Sequence, residues 1–96
     1  QVLLYSDPIE AQRKAYAYLG KKYGKIYISY KKDKKYMIFN PNTCKFVHFG
    51  AIGYEDYTKT HDEKKRELYL KRSTKIPGEW KKDVMSPNNL SINILW

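Results

Sequence analysis

The chain has 96 residues, a hydrophobic fraction of 42% and a formal net charge of +9, from 19 Lys and Arg against 10 acidic residues. This length suits one small domain and is too short for two, while the basic balance favours polyanionic partners such as nucleic acid or acidic proteins. No apolar run approaches the roughly 20 residues needed to cross a bilayer, and no secretory signal is recognisable, so we expect neither membrane insertion nor secretion.

The first quarter of the chain predicts a helix. Residues 2–5 form a short apolar start that favours an edge strand. Residues 7–10 predict a helix opening, with Asp7 as the cap and Pro8 at the first helical position. Gly20 or Gly24 is expected to end this helix. A spacing of three and four predicts its buried stripe, which consists of Ala15, Tyr16, Leu19 and Tyr23.

Three short strands are predicted next, over residues 25–30, 36–39 and 45–49. Alternation along the first strand predicts one shared face for Ile26, Ile28 and Tyr30. Residues 31–35, which include four lysines, read as a charged turn. Tight connections between consecutive strands favour an antiparallel meander against which the first helix packs.

The second half of the chain predicts a charged helix and an irregular arm. Thr60 and Glu63 resemble a capping box that opens a helix ending near Arg72. The spacing places four side chains on one stripe of this helix: His61, Lys65, Leu68 and Arg72. Residues 86–87 could open a last short helix, and helix and strand remain alternatives for the apolar tail.

These elements predict an α+β fold for a single basic domain over residues 1–96. It contains a small three-stranded antiparallel sheet, an N-terminal helix packed on it, a second charged helix and an irregular C-terminal arm from about 73 to 96.

Basic and aromatic residues alternate along the predicted strands. Exposed rings on a sheet can stack on unpaired bases while lysines follow the phosphate backbone. The ring candidates are Tyr27, Tyr30, Tyr36, Phe46 and Phe49. The expected phosphate contacts are Lys31, Lys32, Lys34, Lys35 and Lys45 on the hairpins, with Lys64, Lys65 and Arg72 on the charged helix. Strands favour aromatic residues for packing alone, so many of these rings must also form the core.

Candidate metal and phosphate sites are weak by comparison. Gly50 and Gly53 lack the spacing of a P-loop and are better explained by the backbone angles of a chain leaving the sheet. Carboxylates and histidines near this point could hold a divalent ion, namely His48, Glu55, Asp56, His61 and Asp62. Pairing with lysine or capping of a helix explains the carboxylates better. We expect no metal, no cofactor and no small-molecule substrate.

A nuclease is the one enzyme class with partial sequence support. The hairpin and helix faintly resemble GIY-YIG endonucleases, for which the available residues are Tyr27, Tyr36, Arg66 or Arg72, and Glu79. The GIY and YIG motifs themselves are absent, and residues 79–81 give only the end of a PD-(D/E)xK pattern. The sequence therefore predicts a protein that is not an enzyme.

Two tryptophans and one cysteine complete the candidates. Trp80 in a polar arm and Trp96 at the end of the sequence could each cover the core or contact a partner protein. Cys44 is the only cysteine, so no internal disulfide can form, which fits a reducing compartment.

One set of short motifs extends over about two-thirds of the chain: residues 34–36 (KKY), 48–50 (HFG), 53–58 (GYEDYT), 62–72 and 86–96 (SPNNLSINILW). In these motifs the chain resembles a family of short uncharacterised proteins of nucleocytoplasmic large DNA viruses. The resemblance implies a viral origin, a role in virion structure or DNA handling, and a location in the virion and the interior of the infected cell. The family carries no activity that can be transferred.

The leading hypothesis is a non-enzymatic, virion-associated protein that binds the phosphates of DNA without sequence specificity. The alternative is a minor capsid or cement protein that makes protein–protein contacts through Trp80 and Trp96. A metal-dependent nuclease comes third.

Overall fold

The computed structural model describes residues 5–96, so residues 2–4 of the expected edge strand lie outside it. The elements in chain order are α1 (Pro8–Leu19), β1 (Ile26–Ile28), β2 (Lys34–Asn40), β3 (Lys45–Ala51), α2 (Tyr57–Thr60), α3 (Glu63–Ser73), a 3₁₀ turn (Trp80–Lys82) and α4 (Pro87–Leu90), which continues as a π-helical turn (Ser91–Leu95). The predicted α+β fold is confirmed, with one antiparallel sheet in the order β1-β2-β3. Within the described residues, no helix is both long enough and apolar enough to span a membrane.

Helix α1 begins and ends as its sequence predicts. The Asp7 carboxylate accepts hydrogen bonds from the backbone amides of Ile9 and Glu10, and the helix stops at Gly20, where φ is +82°. The expected buried stripe is only partly correct, because Ala11 and Ala15 are the fully buried positions and Tyr23 is exposed. Alanines on the inner side allow α1 to approach the core closely.

One face of the sheet is covered by the helices. The register pairs Ile26 with Ile38 and Tyr36 with Phe49, and all four side chains are buried. They pack with residues of α1 and the C-terminal helical segment: Ala11, Ala15, Met85, Leu90, Ile94 and Leu95. The predicted shared face is correct for Ile26 and Ile28, since these pair with Ile38 and Tyr36 on the helix-covered side. Tyr30 lies beyond the end of β1 and is 73% exposed, while Ile28 at the end of this edge strand is 55% exposed.

The arm expected to be irregular from about 73 to 96 contains a helix that completes the core. The Ser86 hydroxyl accepts a hydrogen bond from the backbone amide of Asn89, and Pro87 occupies the first helical position. Leu90, Ile94 and Leu95 are at most 1% exposed. The helical alternative for this tail is therefore correct, and residues 87–95 belong to the folded domain.

The charged second helix is present, but its start differs from the prediction. A short α2 comes first, and His61, with φ of +51°, separates it from α3. Asp62 is the cap of α3, since its carboxylate accepts from the amides of Lys64 and Lys65 at 3.0 and 3.2 Å. Thr60 instead accepts a hydrogen bond from the Asp62 amide.

Gly50 and Gly53 serve the backbone role expected for them. Their φ angles are +82° and +103°, which side-chain-bearing residues rarely adopt. A Cβ on Gly50 would also lie 2.8 Å from the side chain of Leu95. The chain can therefore leave β3 and pass closely over the C-terminal helical segment.

Candidate nucleic-acid interface

The sheet face opposite the helices, which we call the open face, carries three exposed aromatic rings. Tyr27, Phe39 and Phe46 are 46%, 43% and 42% exposed. The Phe46 ring centre lies 6.0 Å from that of Tyr27 and 5.6 Å from that of Phe39, in both cases edge to face. Such contacts hold the rings in place while almost half of their surface stays in solvent. This arrangement suits stacking on unpaired bases.

Lysines lie at both ends of the open face. The Lys25 ammonium lies 5.9 Å from the centre of the Tyr27 ring, and Lys45 is exposed at the start of β3. Lys31 and Lys32 are exposed in the loop between β1 and β2. Since β2 spans seven residues, the two ends of the sheet are separated by about 20 Å. The rings therefore lie between two groups of positive charge.

His48 adds a neutral ring to this face. Its Nδ1 lies 2.7 Å from the Ser29 hydroxyl, and its ring centre lies 4.6 Å from that of Tyr30. Burial lowers the pKa of His48, and the charge of Lys31 acts in the same direction. The imidazole is therefore neutral at pH 7, and because it is only 9% exposed it supports Tyr30 from beneath without adding charge to the surface.

The expectation that Lys35 contacts phosphate from a charged turn is wrong. Lys34 and Lys35 belong to β2, and Lys34 is half-buried. Lys35 is 2% exposed, and its ammonium donates to the Tyr54 carbonyl at 2.6 Å and to the Asp56 carboxylate at 3.0 Å. Lys35 is thus removed from the set of phosphate contacts, and Lys31 and Lys32 remain.

The ion pair of Lys35 belongs to a buried polar network. The Asp56 carboxylate also accepts from the backbone amide and the hydroxyl of Thr58. The Thr58 hydroxyl lies 3.0 Å from that of Ser6, which accepts a hydrogen bond from Tyr36. Burial raises the pKa of Tyr36 to about 12, so its hydroxyl remains protonated. Burial lowers the pKa of Lys35, and the Asp56 carboxylate opposes that shift. This network is structural.

Two of the predicted stacking residues are core residues. Tyr36 and Phe49 are 1% and 0% exposed, so neither can reach a base. Phe39 takes their place on the open face and was missed by the sequence reasoning. The signal that identifies it is alternation: if Ile38 faces the helices, Phe39 must face the other way.

The carboxylates have the structural roles that the sequence favours. Asp56 pairs with Lys35, and Asp62 caps α3. Over residues 5–96, no three metal-ligating side chains come together. Glu55 and His61 are exposed.

The partial nuclease pattern is not assembled in space. The register places Tyr27 and Tyr36 on opposite faces of the sheet. Glu79 pairs with Lys82 at 3.2 Å, and the Arg66 side chain donates to the Trp96 carbonyl at 2.8 Å. These side chains therefore share no common site.

Basic residues of α3 border a second surface, which we call the groove. It lies between α3 and residues 50–55, has a volume of about 870 Å³ and includes Lys65 and Arg72. Its larger apolar lining residues are Leu68, Tyr69, Ile76, Leu95 and Trp96. The predicted stripe of Lys65, Leu68 and Arg72 is therefore correct, while His61 precedes the helix. Lys64 is exposed on α3 outside the lining.

The two tryptophans differ in their contacts. Trp96 stacks on Tyr69 with ring centres 4.3 Å apart and planes inclined by 10°, and it lines the groove. Trp80 is half-buried, and its indole N–H donates to the Ile76 carbonyl at 2.7 Å. Of the two expected protein-contact residues, Trp96 is the one that lies at a concave surface.

A family model described as "Family of unknown function (DUF5754)" matches residues 24–73, just over half of the chain, and the chain therefore belongs to this family. The matched span contains the whole sheet, α2 and α3. No curated protein and no solved structure matches the chain significantly.

Proposed function

We propose that this DUF5754 protein binds single-stranded nucleic acid on the open face of its sheet, without sequence specificity and without catalysing a reaction. The observation that carries the proposal is the row of Tyr27, Phe39 and Phe46, half-exposed between lysines at both ends of the sheet. Aromatic rings stack on any base, and cations beside them contact the backbone. Neither interaction reads sequence.

The basic side chains support contact with phosphate more than reading of bases. Sixteen of the 19 basic residues are Lys, which presents a point charge in place of the planar fork of Arg. Lys45 is exposed at the end of the sheet, but its pairing with Asn40 places it on the face of Ile38. The lysines beside the open face are Lys25, Lys31 and Lys32. Contacts of this kind position a strand and supply affinity without specificity.

The resemblance to proteins of large DNA viruses supports a viral origin for the protein and viral DNA as its ligand. We propose a viral protein that handles DNA in the virion or in the interior of the infected cell. A minor capsid or cement role is the second candidate, and it is favoured by a different observation, the groove lined by Trp96. Crosslinks from lysines in purified particles would reach genome-bound proteins in the first case and capsid protein in the second.

Exchanging the two loop lysines is expected to weaken binding through charge alone. If Lys25, Lys31 and Lys32 each contact one phosphate, the plot of log K against log salt for a single-stranded 30-mer should have a slope of about −2. Lys31→Gln with Lys32→Gln should make this slope shallower by about 1.4. Fluorescence anisotropy over a salt series measures both slopes. Duplex 30-mers are expected to bind more weakly than single-stranded 30-mers.

The matched control removes the same charge elsewhere. Lys81 and Lys82 are exposed in the 3₁₀ turn, which hydrogen-bonds to Asn89 on the side of the helices. Lys81→Gln with Lys82→Gln should leave the slope unchanged. Equal effects of the two pairs would show that only net charge matters and would reject the open face as the site.

A further inference from the structure

We infer that the groove is a docking site for a peptide segment of a partner protein that combines large apolar side chains with carboxylates. This inference rests on the protein-contact candidate above and specifies its partner. The groove shares no lining residue with the rings of the open face.

The apolar part of the groove is preorganised. Trp96 is held by stacking on Tyr69 and by the hydrogen bond from Arg66 to its carbonyl. Leu68 and Ile76 remain 53% and 48% exposed, although they flank this fixed ring. A rigid concave surface with exposed apolar side chains loses little entropy when a partner covers it.

The composition of the lining favours a protein partner over a nucleic acid. Tryptophan, tyrosine and arginine dominate the energetics of protein interfaces, and the groove contains Trp96, Tyr69, Tyr54 and Arg72. Its volume of about 870 Å³ lies in the range that encloses a ligand as large as a few side chains. Amphipathic peptide helices dock in apolar grooves of this kind.

Positive charge at the rim of the groove indicates that the partner peptide carries carboxylates. Lys65 and Arg72 border the groove, and neither forms an ion pair with any residue from 5 to 96. Glu55 is the one acidic residue among the described lining. Carboxylates on the incoming peptide would complement this positive rim and increase the rate of association.

Selection from phage-displayed random dodecapeptides tests the inference without assuming a sequence. The folded wild-type protein is the target, and the charge-reversed variant Lys65→Glu with Arg72→Glu is the counter-target. Both substitutions are at exposed positions, so folding should be retained, and thermal unfolding checks this. We expect enriched peptides rich in Leu, Phe or Trp together with Asp or Glu, which bind the counter-target at least about tenfold more weakly.

One control variant and two possible outcomes of the selection test the assignment of the groove as the docking site. Lys45→Gln should leave the affinity of the selected peptides unchanged, because Lys45 begins β3 and the groove lies at the other end of that strand, at Gly50 and Ala51. Peptides that bind wild type and counter-target equally would overturn the groove assignment and leave a protein-contact role elsewhere intact. Failure to enrich any acidic peptide would also overturn the assignment, whereas the nucleic-acid proposal is tested separately by the salt series.

Discussion

Replacing Lys35 by methionine is expected to lower the free energy of unfolding by about 3–5 kcal/mol, because it leaves the Asp56 carboxylate buried without its counter-charge. The Lys35 and Asp56 side chains are 3% and 0% exposed, so water cannot replace the lost partner. Such a loss is a large part of the roughly 5–15 kcal/mol that stabilises a typical domain. Urea unfolding followed by tryptophan fluorescence measures it.

A double-mutant cycle separates the interaction energy of the Lys35–Asp56 ion pair from the energies of the other contacts that each side chain makes. Asp56→Asn keeps an oxygen that can accept from Thr58 but removes the charge. The double variant should lose less stability than the sum of the two single changes, since no unpaired charge remains. Lys34→Met is the matched control, because Lys34 is half-buried and forms no ion pair within residues 5–96. Equal losses for Lys34→Met and Lys35→Met would contradict the structural role of the network.

Truncation of Phe46 to alanine is expected to weaken binding of single-stranded DNA by about 1–3 kcal/mol, which corresponds to about 5- to 150-fold in Kd. Phe46 contacts both other rings of the open face, so its removal also frees Tyr27 and Phe39. The affinity for duplex DNA should change much less, since paired bases are already stacked. Anisotropy of a labelled oligothymidylate measures the loss.

Two variants control for loss of aromatic surface and loss of folding. Tyr54 is 71% exposed but lines the groove, so Tyr54→Ala should leave DNA affinity unchanged. Phe46→Tyr keeps a ring and should bind within about twofold of wild type. A Phe46→Ala protein that melts normally and binds DNA like wild type would exclude stacking on this face.

Features of the fold that depend on neighbouring residues were predictable from the sequence. Asp7 and Pro8 set the start of α1, and Gly50 has the positive φ that its place after the predicted strand 45–49 suggested. The start of α3 was not predictable in the same way. Thr60 and Asp62 are both residues that favour a helix N-cap. Because His61 between them adopts a left-handed conformation that ends α2, α3 begins after Asp62.

Features that depend on distant contacts were missed. Lys35 follows three other basic residues, so the sequence predicts that it belongs to an exposed turn. The Asp56 carboxylate with which it forms a buried ion pair lies 21 residues later in the chain. The face of the sheet on which each β2 side chain lies decides which aromatic rings are exposed to solvent. Because Ile38 packs under α1 and the C-terminal helical segment, Tyr36 goes to the core and Phe39 to the open face.

The most direct test of the open face as a nucleic-acid interface is a titration of ¹⁵N-labelled protein with oligothymidylate, followed by amide chemical shifts. The proposal predicts the largest changes at Tyr27, Phe39 and Phe46 and in the loop that contains Lys31, with little change at Leu68. Changes concentrated along α3 and the groove, with the amides of β1, β2 and β3 unmoved, would contradict it.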